Sequence, residues 1–138
     1  MEPTPPHRLS FDTLRLEYLE KDRCVVLVVL GKSSNEVRFG ACEGDDTSIG
    51  LLECAANATL RALASAAEHR VEFDLDLVRS LASPRCVVVT LSLSKPLGAR
   101  KMELCGCCLV NSDPLHAATK AVLQATNRLF ETDFIFFH

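Results

Sequence analysis

Residues 23–30 read Arg23-Cys24-Val25-Val26-Leu27-Val28-Val29-Leu30, and this stretch decides the fold because the chain contains a close copy of it. The copy is Arg85-Cys86-Val87-Val88-Val89-Thr90-Leu91-Ser92. Both stretches are rich in β-branched and other apolar residues, which is typical of a strand that is buried on at least one face. The chain is therefore expected to build the same structural unit twice.

The residues around the first copy predict two more strands and a helix. Before it, Leu14, Leu16 and Tyr18 alternate with more polar neighbours, as in a half-buried strand. After it, a Gly-Lys-Ser-Ser-Asn hairpin loop leads into a third strand over residues 37–42. An alanine-rich helix follows, with Ser48 or Asp46 as the candidate N-cap. Its apolar stripe is predicted to consist of Ile49, Leu52, Ala56, Leu60, Leu63 and Ala67.

The second half of the chain repeats this order of elements. Strands are predicted over residues 73–77, 86–93 and 102–110, and a helix begins at Pro114 with Asp113 as its N-cap. On this helix the predicted buried stripe is Leu115, Ala118, Val122, Ala125 and Leu129, while His116, Lys120, Gln124 and Arg128 point away. The repeats span residues 11–68 and 71–131, and their matched positions are Arg23 with Arg85, Gly40 with Gly106, and Ala58 with Ala121.

These patterns predict the α+β class, built from tandem duplicated β-β-β-α units. We expect a six-stranded, mainly antiparallel sheet with two helices on one face, because each unit alone would leave apolar surface uncovered. The expected domain is a single one over residues 11–131. A mobile leader over residues 1–10 precedes it and an aromatic tail over residues 132–138 follows it.

Composition excludes several classes of protein. The 138 residues include 15 Lys and Arg against 18 Asp and Glu, with no basic run, so nucleic acid is not expected as a partner. Apolar runs fall short of the roughly 18–20 residues that span a membrane, and the first residues lack the pattern of a signal peptide. Seven cysteines, an odd number in apolar surroundings, favour a reduced cytoplasmic protein.

Two apolar features predict self-association as a homodimer. Val25, Leu27 and Val29 occupy the second face of a strand whose first face is also apolar, so this second face is expected to be covered as well. The tail residues Phe134, Ile135, Phe136 and Phe137 would each lose roughly 1.5–3 kcal/mol if left exposed to water. Both features are therefore interpreted as parts of an interface.

The stretch Phe39-Gly40-Ala41-Cys42-Glu43-Gly44-Asp45-Asp46, followed by the small-residue helix at residues 55–63, resembles the C-terminal regulatory domain of 2-isopropylmalate synthase and citramalate synthase. In the second copy Gly106 is kept, but Val110-Asn111 stands where the second glycine would fall, and the catalytic barrel of that family is absent. The resemblance implies a dimer that binds an amino acid at its strand-to-helix loops. The corresponding positions here are Gly40, Gly44, Asp45, Asp46, Asn111 and Asp113.

Two further clusters have alternative interpretations. Cys105-Gly106-Cys107-Cys108 contains three thiols, but on a strand Cys105 and Cys107 face one side and Cys108 the other, so structural cysteines are favoured over a metal or redox site. The acidic loop of Glu43, Asp45 and Asp46 suits a cation or a ligand amine. Capping of the following helix is the favoured interpretation.

No nucleophile, base or phosphate-binding motif is found, and no metal or cofactor is predicted. The leading hypothesis is a non-enzymatic, self-associating regulatory or interaction module. A small-molecule, amino-acid-like sensor that uses the strand-to-helix loops is the first alternative. A thiol or metal protein that uses residues 105–108 is the second.

Overall fold

The computed structural model describes residues 9–32, 36–95 and 102–131. Three strands and a helix follow one another twice, so the predicted tandem β-β-β-α units are confirmed. The elements are β1 (Leu9–Leu19), β2 (Arg23–Lys32), β3 (Val37–Asp45), α1 (Ser48–Ala66), β4 (Glu72–Ala82), β5 (Arg85–Lys95), β6 (Glu103–Leu109) and α2 (Pro114–Glu131).

The six strands form two antiparallel sheets, β1-β2-β3 and β4-β5-β6, and not the single six-stranded sheet that we expected. In each unit, a helix side chain bonds to an outer strand of the sheet. Arg61 of α1 donates to the carbonyl of Ala41 in β3 at 2.6 Å, and Gln124 of α2 accepts from the Cys107 amide in β6 at 2.6 Å. In each unit, one edge group of the outer strand is thus bonded to the helix of the same unit.

The two helices lie between the two sheets. Helix α1 packs on β2 and β3 of its own unit and also on β4, while α2 packs on β5, β6 and β1. The helices contact each other as well, and a single hydrophobic core includes residues of both units. This arrangement differs from two helices on one face of a sheet, and it explains why α1 is buried almost all round its circumference.

The structural register of the duplication differs by one residue from the sequence match. Gly40 lies opposite Val28, and Gly106 lies opposite Val89, which sets the offset between β2 and β5 at 61 residues. The Arg-Cys match between positions 23 and 85 implies an offset of 62 and is therefore wrong as a structural alignment. Because a one-residue slip reverses the face of every strand residue, Cys24 points towards the helices and Cys86 points away from them.

Gly40 and Gly106 allow each helix to approach its own sheet closely. A Cβ atom at Gly40 would overlap the Ala58 carbonyl of α1, and one at Gly106 would overlap the Ala121 carbonyl of α2. The predicted pairing of these two glycines, and of Ala58 with Ala121, is thus borne out by the same contact in both units. Backbone contact at these points explains the small residues of both helices.

One predicted helix start is correct and the other is wrong. Asp113 caps α2 by accepting from the Leu115 amide at 2.9 Å, with Pro114 as the first helical residue. In α1 the N-cap is Thr47, whose hydroxyl accepts from the Gly50 amide at 2.9 Å. The predicted residues, Ser48 and Asp46, are not the N-cap. The predicted stripe of α1 also needs one correction, since Ile49 is 48% exposed.

Strand β1 begins inside the predicted leader. Leu9 is buried, and its carbonyl accepts from the Asn127 side chain of α2 at 3.0 Å, which ties the first strand to the last helix. The rest of the predicted leader and the predicted aromatic tail (Phe134, Ile135, Phe136 and Phe137 among them) lie outside the described residues. None of the helices in the described ranges has the length and apolar character needed to cross a membrane.

Candidate functional site

The outer face of the first sheet, which is turned away from the helices, carries the predicted interface residues of β2. Val25 and Leu27 are half-buried there, and Val29 is only 8% exposed. On the neighbouring strand β3, Val37 and Phe39 continue the same face, and Phe39 is 58% exposed. A continuous apolar strip therefore runs across this sheet on the side that neither of the two described helices covers.

Charged side chains border this strip on β1. Arg15 pairs with Leu27 in the strand register, and Glu17 pairs with Val25. Together with Ala41 of β3, these four residues line a shallow depression of about 230 Å³. The depression has an apolar floor, and one wall carries both a positive and a negative group.

At one end of the same face, Arg23 forms an ion-pair cluster with the acidic loop. Its guanidinium lies 2.6 Å from the Asp45 carboxylate and 3.3 Å from that of Glu43. The hydrogen bond to Asp45, and next the one to Glu43, raise the pKa of Arg23 above its ordinary value. These acidic side chains bind an arginine and do not cap α1, so the favoured interpretation of the loop as a helix cap was wrong; that cap is Thr47.

The outer face of the second sheet is more polar at its centre. Thr90 and Ser92 of β5 point outward there, and the Ser92 hydroxyl donates to the Asp76 carboxylate at 3.1 Å. Apolar exposure is confined to one end and to the outer strands, where Leu109 is 59% exposed. The two units thus share a backbone arrangement but differ in the chemistry of their outer faces.

A second candidate site is a cavity of about 500 Å³ between the two units. Equivalent residues of the units line it in pairs, because Leu16 of β1 corresponds to Ser80 of β4, and Leu52 of α1 corresponds to Leu115 of α2. Its full lining is Leu14, Leu16, Tyr18, Ser48, Leu51, Leu52, Ser80, Asp113, Pro114 and Leu115.

This central cavity is mostly apolar, but the first turns of both helices reach it. Amide groups at a helix N-terminus favour negative charge nearby. One such charge is already present, since the Asp113 carboxylate caps α2 and also lies 3.6 Å from the His116 imidazole. His116 in turn packs against the Phe11 ring at a centroid distance of 5.0 Å, so it does not point away from the fold as predicted. The cavity suits a small molecule with an apolar body and few polar atoms.

The residues predicted to bind a ligand are not gathered at one place. Gly40 lies beneath α1 and has a packing role. Gly44 and Asp45 line a polar pocket of about 310 Å³ at the corner between β3 and α1. Asn111 and Asp113 line a pocket of about 40 Å³ at the equivalent corner between β6 and α2.

The remaining predicted ligand residue, Asp46, contributes a backbone contact. Its amide donates to the Asp22 carbonyl at 2.9 Å, which links the loop before α1 to the turn between β1 and β2. Asp113 is the one predicted residue that also lines the central cavity. Most of the lining of the central cavity comes from apolar residues of β1, α1 and α2 that carry no motif.

The cysteines at positions 105–108 are arranged as their alternation predicts. Cys105 and Cys107 are exposed on the outer face of the second sheet, and Cys108 is half-buried on the side of the helices. Within the described ranges, no group of three or more His, Cys, Asp or Glu residues is placed to hold a metal ion. The fold brings together three other thiols, from two strands and a helix, that are far apart in the sequence: those of Cys24, Cys42 and Cys54.

No protein-family model matches this chain, and no curated protein matches it at a significant level.

Proposed function

We propose that the protein is a non-enzymatic interaction module that associates with a second copy of itself through the outer face of its first sheet. The observation that carries this proposal is the apolar strip of Val25, Leu27, Val37 and Phe39, with the nearly buried Val29 between them, on a sheet face that neither described helix covers. Contiguous apolar surface rimmed by polar residues marks an interaction site in soluble proteins. Sequestering such a strip from water supplies the main driving force for association.

A second copy of this chain is the occupant that the charges favour. Arg15 and Glu17 lie two residues apart on the same face of β1, at the border of the strip. In a two-fold interface each copy offers the same patch, so Arg15 of one copy approaches an acidic group of the other. A face with both signs of charge is complementary to itself. A partner of uniform charge would repel either Arg15 or Glu17.

The experiment is sedimentation velocity on the chain and on two matched variants. Phe39→Asp places a charge on the proposed interface, at a side chain that is 58% exposed, so the fold of the monomer should be kept. Leu109→Asp is the control, because Leu109 is equally exposed, at 59%, but lies on the second sheet. We expect the Phe39→Asp variant to be monomeric and the Leu109→Asp variant to remain dimeric. The opposite pattern would assign the interface to the second sheet and overturn the proposal.

The central cavity favours a second candidate function, the binding of a small amino-acid-like molecule. Its volume of about 500 Å³ falls in the roughly 300–1,000 Å³ range of small-molecule sites. The chain also resembles the regulatory domain of 2-isopropylmalate synthase and citramalate synthase in its paired β-β-β-α units. A branched aliphatic side chain suits the leucine-lined walls, and a carboxylate suits the helix N-termini.

Thermal melting with branched-chain amino acids and the corresponding 2-oxo acids tests this second function. A ligand at a hundredfold its Kd stabilises the folded state by about 2.7 kcal/mol, which raises the melting temperature measurably. Ser80→Phe fills part of the cavity and should abolish the rise, while Arg79→Phe on the outer face of the same strand should leave it intact. Identical melting curves with and without these compounds would count against the sensor.

A further inference from the structure

We propose that Cys42 and Cys54 form a site of reversible oxidation, in which a hydroperoxide converts the two thiols to a disulfide between β3 and α1. This inference is independent of self-association. It rests on where the fold places three cysteines that are far apart in the sequence.

The three thiols meet at the corner between the first sheet and α1. Cys24 of β2 lies opposite Gly44 of β3 on the face turned towards the helix, and Cys42 lies two residues from Gly44 on that same face. The Cys54 sulfur of α1 sits directly above Gly44, where a Cβ atom would overlap it. From there the Cys54 thiol is within hydrogen-bonding range of both Cys42 and Cys24.

The three thiols differ in their access to solvent. Cys24 is fully buried, and its thiol donates to the Asp45 carbonyl at 3.6 Å. Cys42 is half-buried, and with Cys54 it lines the polar pocket of about 310 Å³ that opens at this corner. A small oxidant such as hydrogen peroxide therefore reaches Cys42 first.

Burial, and next the neighbouring thiols, raise the pKa of Cys54 to about 12, which keeps Cys54 protonated. Since the thiolate is the nucleophile in thiol chemistry, Cys54 is a poor first target for an oxidant. Its sulfur lies beside Cys42, so in the second step it attacks the oxidised Cys42 sulfur while its proton passes to the hydroxyl that leaves. The geometry thus makes Cys42 the thiol that reacts with the oxidant and Cys54 the thiol that then forms the disulfide with it.

The two steps balance with hydrogen peroxide as the oxidant. The Cys42 sulfur attacks one peroxide oxygen, the O–O bond breaks, and Cys42 becomes a sulfenic acid as one water is released. The Cys54 sulfur then attacks the Cys42 sulfur, and the S–O bond breaks. The hydroxyl leaves with the Cys54 proton as a second water. Two thiols lose two electrons, and the peroxide is reduced to two waters.

The second unit of the same chain supplies an internal control. Cys108 occupies in β6 the position that Cys42 occupies in β3, and its thiol also donates to the next carbonyl, at 3.4 Å against 3.6 Å for Cys42. The position equivalent to Cys54 is Ala117, and the position equivalent to Cys24 is Arg85. Cys108 therefore has the strand position and backbone hydrogen bond of Cys42 without a resolving thiol.

The test treats the full chain with hydrogen peroxide, blocks the remaining thiols with an alkylating agent, and maps the linkages by peptide mass spectrometry without reduction. We expect a peptide pair that joins Cys42 to Cys54, with neither of these two thiols left open to alkylation. Cys108 should yield no intramolecular disulfide. A link from Cys42 to Cys24, or a Cys42 that stays reduced while the exposed Cys105 and Cys107 are oxidised, would overturn the assignment.

A variant separates the two steps. Cys54→Ala reproduces what the second unit already has at Ala117, so the fold should accept it. In this variant we expect Cys42 to stop at the sulfenic acid, which a dimedone probe labels, whereas in the unaltered chain that label should be scarce because the disulfide forms. Equal dimedone labelling of Cys42 in both proteins would show that Cys54 does not resolve it, and would contradict the proposal.

Discussion

The hydroxyl of Thr59 lies 3.1 Å from the hydroxyl of Thr119, and both side chains are completely buried where the two helices meet. Thr59 also bonds to the Ala55 carbonyl of its own helix, at 2.7 Å. This polar contact between α1 and α2 joins the two repeats directly. Because a buried hydroxyl without a partner is costly, the pair fixes how one helix sits against the other.

Removing one hydroxyl of this pair should lower the free energy of unfolding by more than the contribution of one hydrogen bond, because the other hydroxyl is left buried without this partner. Thr59→Val keeps the shape but takes the Thr59 contact away from buried Thr119, so we expect a loss of about 1–3 kcal/mol in the free energy of unfolding. The double variant with Thr119→Val should lose less than the sum of the two single variants, by at least about 0.5 kcal/mol. Urea denaturation of the unaltered chain, the two single variants and the double variant measures the four free energies of this double-mutant cycle.

Thr126→Val is the matched control for this cycle. Thr126 is also fully buried, but its hydroxyl bonds to the Val122 carbonyl of its own helix at 3.0 Å. We expect its effect to add to that of Thr59→Val without coupling, because the two threonines share no bond. Strict additivity of the Thr59 and Thr119 variants would contradict a coupled pair.

The close approach of helix and sheet predicts a sharp difference among glycines. At Gly40 and Gly106 a Cβ atom would meet backbone atoms of the facing helix, which cannot turn aside. Alanine there should destabilise the fold by about 3 kcal/mol or more, at the upper end of overpacking effects. Gly31→Ala is the control, since its Cβ would meet only the Ser10 hydroxyl, at an ordinary 3.7 Å. Similar unfolding free energies for all three variants would refute this account.

Elements and their repetition were accessible from the sequence because they depend on local periodicity. The strands around Val26 and Val88, and the helix start at Pro114, follow from alternation and capping chemistry. The division into two sheets does not, since it depends on how the two units pack against each other, which local periodicity does not specify. The repeated Arg-Cys pair was misleading because sequence similarity alone does not specify which face of a strand a residue occupies.

The Cys54 thiol predicts a specific dependence of stability on pH. Burial raises its pKa from about 9 to about 12 in the folded protein, so the folded state holds this proton at pH values where the unfolded chain releases it. The stabilising contribution is therefore complete below about pH 9 and is lost as the pH rises towards 12. We expect the stability difference between the unaltered chain and Cys54→Ala to shrink over this range. Parallel curves from urea denaturation at each pH would contradict the assignment.

The charges beside the apolar strip predict pairing between complementary variants. Arg15→Glu leaves two acidic groups at the border, and Glu17→Arg leaves two basic groups, so each variant should self-associate less than the unaltered chain. Mixed together, the two variants should form a heterodimer because their borders are now of opposite sign. Native mass spectrometry of the mixture, with the variants distinguished by isotope labelling, measures this. Random mixing or no mixed species would argue against these residues at the interface.

The candidate sites were less predictable than the fold. Val25, Leu27 and Val29 were identifiable as interface candidates because the sequence shows a strand with two apolar faces. The central cavity was not, because its walls are ordinary leucines such as Leu16 and Leu52 that only the packing of two units brings together. The thiol group at Cys54 was hidden for the same reason.

The most direct test of the central claim is the mass of the unaltered chain in solution, measured by light scattering from low to high micromolar concentration. The account predicts a dimer, with twice the 15.1 kDa mass of one chain, and dissociation on dilution as expected for a moderate interface. A mass of 15.1 kDa at every concentration would contradict it. The apolar outer face of the first sheet would then not be an interface between copies of this chain.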